Sequence, residues 1–108
     1  MAIIEVDEIE FQEEIKMAFD RGDSVIIKFS STYCDSCMML GFELEELDER
    51  VDNLTILEVN ISEAESLAQV HGVVEVPYMK IYKDSEHLIF DGVGIMLAAD
   101  IEAIITAN

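Results

Sequence analysis

Cys34 and Cys37 are the residues of this chain best suited to covalent chemistry. Two residues separate them, and a thiol pair at that spacing either cycles between dithiol and disulfide or supplies half of a metal site. On a helix the spacing puts both sulfurs on one side, about one turn apart. With Cys34 at the helix start, its sulfur faces free backbone amides and the positive end of the macrodipole, which stabilises thiolate, the nucleophilic form. Cys37 then lies one turn further in, more buried and within disulfide reach. The division of labour that follows has Cys34 attacking a substrate disulfide and Cys37 resolving the mixed disulfide. A zinc site needs two more ligands, and only His71 and His87 are on offer, at spacings unlike a zinc finger. Met38 and Met39 beside Cys37 are soft ligands that suit copper(I). Methionines also fill cores or line contact surfaces, which is the preferred reading here. No metal is therefore expected, and a Cu(I)- or Zn-binding pair is the lesser alternative to a redox dithiol.

The elements around the pair are those a redox dithiol needs. Val25 to Phe29 is a nearly continuous apolar run with β-branched residues, as in a strand covered on both faces. The cysteines follow at once, after a loop from Ser30 to Tyr33. From Cys34 to Arg50 the pattern is helical, with Leu40, Leu44 and Leu47 on one side and acids on the other. Upstream, Ile3 to Val6 reads as a strand and Glu8 to Arg21 as a helix that Gly22-Asp23 ends. Downstream come a buried strand over Leu54 to Val59 and a short helix over Ser62 to Val70, with Ser62 as its N-cap. Tyr78 to Tyr82 and His87 to Phe90 read as an antiparallel hairpin across Lys83 to Glu86. Leu97 to Ala107 is a terminal helix. The alternation predicts parallel strands joined by crossover helices, with the hairpin adding antiparallel edge strands: an α/β fold, a mixed sheet with helices on both faces.

Length and composition bound the rest. The chain has 108 residues, of which 51% are hydrophobic. It is expected to form one domain over 1–108 with a single core. No apolar run approaches the roughly 20 residues that span a bilayer. The N-terminal stretch Met1 to Glu14 is acidic and lacks a basic region, so it does not read as a signal peptide, and a cytoplasmic setting is expected. Six Lys and Arg against 24 Asp and Glu give a formal net charge of −18. A polyanion repels this surface, so neither nucleic acid nor an anionic membrane is an expected partner.

On these residues the chain resembles the thioredoxins. Ser-Val-Ile-Ile-Lys-Phe-Ser-Ser-Thr-Tyr-Cys-Asp-Ser-Cys (24–37) looks like their strand and active-site segment, and Leu-Thr-Ile-Leu-Glu-Val-Asn-Ile-Ser (54–62) like the core strand that follows. His-Gly-Val-Val-Glu-Val-Pro-Tyr (71–78) is similar to the segment that carries the family's cis-proline. The resemblance runs from about residue 5 to the C-terminus and implies a thioredoxin fold. It implies thiol–disulfide exchange on protein disulfides, with a reductase as electron donor, no cofactor beyond the redox-active disulfide, and a monomer. It also implies a cis bond between Val76 and the chain's one proline, Pro77, beside Cys34. The backbone of Val76 would then pair with an extended substrate, with Tyr33 and Ser36 at the rim of the groove.

The departures from the family concern charge. Asp35-Ser36 stands between the cysteines where thioredoxins usually carry Gly-Pro, and the carboxylate of Asp35 disfavours the neighbouring Cys34 thiolate. Tyr33 replaces the family's tryptophan, and Gly41-Phe42 falls where its active-site helix carries a kinking proline. Lys28 occupies the position of the family's buried aspartate, and Glu58 that of the facing lysine, so the pair is kept with its signs exchanged. Lys28 is expected beneath Cys37, paired with Glu58, tuning the ionisation of that thiol. A binding module with a groove bordered by Tyr33, Met38 and Met39 and little turnover is the alternative to an enzyme.

Overall fold

The computed structural model describes residues 3–108. Met1 and Ala2, the first residues of the expected domain, lie outside the described residues. The elements run β1 (Ile3–Glu5), α1 (Glu8–Asp20), β2 (Ser24–Ser30), α2 (Asp35–Arg50), β3 (Leu54–Asn60), α3 (Glu65–Val70), β4 (Tyr78–Asp84), β5 (His87–Val93) and α4 (Ala98–Ala107). They form one mixed sheet in the order β1-β3-β2-β4-β5. β1 and β2 flank β3 in parallel, while β4 runs antiparallel to both β2 and β5.

Period-two alternation along β2 and β3 divides the core into two layers. Val25, Ile27, Phe29, Leu57 and Val59 face one way and pack with Phe11 and Ala18 of α1 and Leu67 and Ala68 of α3. Ile26, Ile56, Met79 and Ile81 face the other way, onto Leu40, Leu44 and Leu47 of α2 and Ile101 of α4. Lys28 and Ser30 share the parity of Ile26, so they point beneath α2.

Local chemistry explains where the elements begin and end. Asp7 accepts from the amides of Ile9 and Glu10, and Glu10 accepts from the amide of Asp7, a reciprocal cap that opens α1. Gly22 ends the helix at φ +85°. A residue with a side chain adopts that conformation only with strain. Ser62 is not the N-cap of α3, contrary to the sequence expectation. The side chain of Asn60 accepts from the Ser62 amide at 2.9 Å, and the Asn60 carbonyl accepts from the Ala64 amide at 2.9 Å. The chain therefore turns first, and α3 starts three residues late, after Ala64. The hairpin is tighter than expected: the strands run through Asp84 and resume at His87. Asp84 accepts from the Glu86 amide at 2.9 Å across the turn.

His71 packs beside two core rings. It is half-buried, its ring centroid 5.7 Å from that of Phe11 and 5.4 Å from that of Phe29. Burial lowers its pKa below 6.5, the Lys80 ammonium lowers it further, and the Asp91 carboxylate opposes both. The unfolded chain therefore takes up this proton before the folded one. Unfolding free energy falls as pH drops through 6.5, and the loss levels off below the folded pKa. His71→Gln is expected to reduce the stability difference between about pH 7.5 and about pH 5.5, read as paired urea denaturation curves. A difference equal to that of the wild type would show that this ring carries no linkage.

Candidate active site

Three segments meet at the C-terminal end of β2. The first is the loop from Ser31 to Cys34 that leads into α2. The second is the strap Val73–Pro77 that leads into β4. Phe29 pairs with Tyr78, and the antiparallel register, carried on, brings Pro77 beside Ser30 and Val76 beside the loop. The third follows β5. Gly94 donates its amide to the Pro77 carbonyl at 2.9 Å and holds φ +112°. That conformation favours glycine, and the bond pins the strap from its far side.

The cysteines sit at the junction of loop and helix. Cys34 is the N-cap of α2, with extended backbone, and its sulfur accepts the amide of Cys37 at 3.1 Å. It is joined to Cys37 in a disulfide, with Cα atoms 5.2 Å apart. Cys34 is half-exposed, whereas Cys37 is 3% exposed. An incoming sulfur can therefore reach the first and not the second. On reduction the amide that now meets Cys34 Sγ faces a thiolate, a charge-assisted bond at the positive end of a 16-residue helix.

Ser36 places its hydroxyl 3.5 Å from Cys34 Sγ. Asp35 is the first residue of α2 and is exposed, so its charge lies beside the sulfur but in water. Tyr33 is 98% exposed, standing off the loop as a rim. The Val76–Pro77 bond is cis, Val76 is half-buried and Pro77 is buried. Among the described residues, neither the amide nor the carbonyl of Val76 takes part in a backbone hydrogen bond. The edge that a substrate would use is open.

Lys28 and Glu58 are direct partners across β2 and β3, and their charges meet at 2.9 Å. The Lys28 side chain is 4% exposed and that of Glu58 25%. Ser30 donates to the same Glu58 oxygen at 2.8 Å. The ammonium reaches beneath α2 at Gly41, about one turn beyond Cys37. A Cβ on Gly41 would stand 3.2 Å from Lys28 Nζ. There the ammonium lines a groove of about 340 Å³ with Ile3, Met38, Phe42, Glu45 and Glu58.

Ser30 and Gly41 join the pair without having been expected to. Gly41 carries a signal in the sequence, because a glycine inside a helix costs about 1 kcal/mol relative to alanine and calls for a reason. The reason here is room for the longer cation. Ser30 carries only its parity with Lys28. Among the described residues, no three His, Cys, Asp or Glu side chains gather as a metal-holding group.

The comparisons with known proteins agree with this site. The family model described as thioredoxin matches residues 2–107. The chain belongs to the thioredoxin family. It is 30% identical over 87 residues to a thioredoxin of Bacillus subtilis, covering 80% of this chain and 79% of that one. It is 34% identical over 74 residues to a thioredoxin of Chlorobaculum thiosulfatiphilum, covering 68% of this chain and 66% of that one. Its fold superposes on chloroplastic thioredoxin z with a TM-score of 0.86 at 22% identity, over 99% of this chain and 94% of the other. For thioredoxin f from spinach chloroplast the TM-score is 0.82 at 23% identity, over 98% and 93%. The architecture is thus the thioredoxin fold. With family and dithiol in place, the chain is a thiol–disulfide oxidoreductase that acts on disulfide substrates, is reduced by a reductase and runs on its own disulfide.

The tie between Gly41 and Lys28 is measurable. Gly41→Ala is expected to gain little or nothing in stability while Lys28 is present, because the new methyl crowds a pinned ammonium. In a Lys28→Ala background the same change is expected to stabilise by about 1 kcal/mol. Equal effects in the two backgrounds, by denaturant titration, would remove the packing role of Gly41.

Proposed function

We propose that this protein reduces protein disulfides, with Cys34 as the attacking sulfur and Cys37 as the resolving one. The observation that carries the assignment is the contrast between the two. Cys34 is half-exposed, its Sγ held by a helix-start amide beside an unpaired stretch of backbone, while Cys37 is closed off. An extended substrate lies along Val76 by β-augmentation and presents its disulfide to Cys34. The Cys34 thiolate forms a bond to one substrate sulfur, and the other leaves and takes up a proton. Cys37, deprotonated, then attacks Cys34 Sγ, and the second substrate thiol leaves. Two electrons pass from the dithiol to the substrate, and a reductase restores them.

Insulin reduction driven by dithiothreitol tests this reading. A shortened lag before precipitation is expected, Cys37→Ser is expected to abolish that acceleration, and the pre-reduced Cys37→Ser variant mixed with insulin without dithiothreitol is expected to accumulate a mixed disulfide on Cys34. No acceleration by the wild type would favour the alternative, a module whose groove beside Tyr33, Met38 and Met39 holds partners without turning over.

Lys28, Glu58 and Asp35 take the tuning role in this scheme. A cation under the second turn of α2 favours charge on the nearby Cys37 sulfur, and Glu58, partly open to the groove, connects the pair to solvent. Lys28→Met leaves Glu58 unpaired. It is expected to cost about 2 kcal/mol, less than breaking a fully buried pair, because Glu58 is partly solvated. Lys28→Met with Glu58→Gln is expected to recover most of that stability. If the pair tunes Cys37, the double variant still moves the pH profile of mixed-disulfide resolution upward. A profile matching the wild type would leave the pair a purely structural role.

A further inference from the structure

The rim of the dithiol groove has an unusual balance of charge. Its three segments, 31–38, 72–77 and 92–97, contain no lysine or arginine. Their exposed side chains are largely apolar: Tyr33 at 98%, Val74 at 88%, Met38 at 61% and Val93 at 54%. Against that background stand only two formal charges, Asp35 and Glu75, both exposed. They come from different segments. Asp35 is the neighbour of Cys34 on the α2 side, and Glu75 is the neighbour of Val76 on the strap.

Neither carboxylate forms an ion pair among the described residues. The chain's cations are committed or placed elsewhere. Lys16, Arg21, Lys28 and Arg50 pair with acids of their own, and Lys80 and Lys83 lie on β4. Nothing among the described residues neutralises the two rim charges.

We propose that Asp35 and Glu75 make this groove select disulfide substrates whose cysteine is flanked by lysine or arginine. The inference rests on the exchange reading above and narrows its substrate class. A substrate strand held on the Val76 backbone advances about 3.3 Å per residue. Residues one or two places from its reactive cysteine therefore pass within reach of Glu75 on one side and Asp35 on the other. A cation there meets an unpartnered carboxylate, whereas an acid meets like charge. The apolar remainder of the rim accepts either and does not discriminate. The net charge of −18 acts in the same direction at longer range, so the test must separate local from global charge.

Two peptides, identical except for Lys or Glu on either side of one cysteine, serve as probes, each carried as the 2-thiopyridyl disulfide. Pre-reduced protein is mixed with each in turn, and release of pyridine-2-thione gives the second-order rate constant. At low ionic strength the Lys peptide is expected to react about tenfold faster than the Glu peptide. The ratio is expected to fall several-fold at about 1 M salt, where the screening length is about 3 Å. Using the ratio cancels any change that Asp35→Asn makes to Cys34 itself. The Asp35→Asn/Glu75→Gln double variant, which alters the net charge only slightly, is expected to bring the ratio below about threefold at low salt. A wild-type ratio within about twofold of unity overturns the proposal. So does a ratio unchanged in the double variant, which would assign the preference to net charge. Insulin reduction run alongside keeps the two readings apart. Intact insulin reduction with equal peptide rates overturns charge selection alone, whereas failed insulin reduction overturns the exchange reading beneath it.

Discussion

Burial of β2 on both faces is the constraint on which the rest of the structure depends. Every residue from Val25 to Ser30 is buried, so the strand must be covered by α1 and α3 on one side and by α2 and α4 on the other. Its backbone must also be paired along both edges, and β3 and β4 supply that pairing. The chain leaving its C-terminal end has only a few residues in which to turn into α2, which puts the helix start, with its unpaired amides, at the edge of the sheet. Because β4 is antiparallel, it contributes its N-terminal end at that same edge, and the strap bearing Val76 and Pro77 arrives beside the loop bearing Cys34. Sulfur, helix terminus and open backbone meet there through strand direction alone.

The same burial explains the arrangement around Lys28. An unpaired charge in that layer would cost several kcal/mol. The cost is offset by a set of small adjustments, each visible in the geometry. Glu58 sits in register and accepts from both the Lys28 ammonium and the Ser30 hydroxyl, and it keeps partial contact with solvent. Gly41 gives up about 1 kcal/mol of helix propensity to leave room for Nζ. A lysine is longer than an aspartate, so exchanging the signs of the pair is not symmetrical. The charged end reaches the second turn of α2, and the helix residue above it must be small.

Much of this is legible in the sequence, for reasons that differ by element. The Val25–Phe29 run, the leucine stripe of α2 and the order of elements are long, strongly patterned signals, and the structure reproduces them within one or two residues. Ser62 does not cap α3 because a serine before a helix competes with a neighbouring asparagine, and Asn60 satisfies the nearby amides from a better position. The half-burial of His71 is hidden because periodicity does not show that Phe11 and Phe29, far apart in the chain, leave a slot for its ring. The parity of Lys28 and Ser30 indicates the face they share, but not the reach of the ammonium to Gly41. That distance depends on how closely α2 packs on the sheet, which no local pattern encodes.

Range decides how an acidic surface and a thiolate-based reaction coexist. At physiological salt the screening length is about 8 Å. Most of the 24 acidic side chains therefore contribute little at the sulfur. The Cys37 amide acts at 3.1 Å. The helix terminus acts within one turn. Asp35 is the acid closest in sequence to Cys34, and its exposure lets water weaken its effect more than that of the direct hydrogen bond. The bond-making step is therefore governed by groups in contact with the sulfur. Diffusional approach is governed by the summed field, which extends beyond any single contact. Negative charge can accumulate on this fold without abolishing exchange, provided that it stays off the helix start and in water. Glu75, on the strap, meets both conditions, and Asp35, the first residue of α2, meets the second.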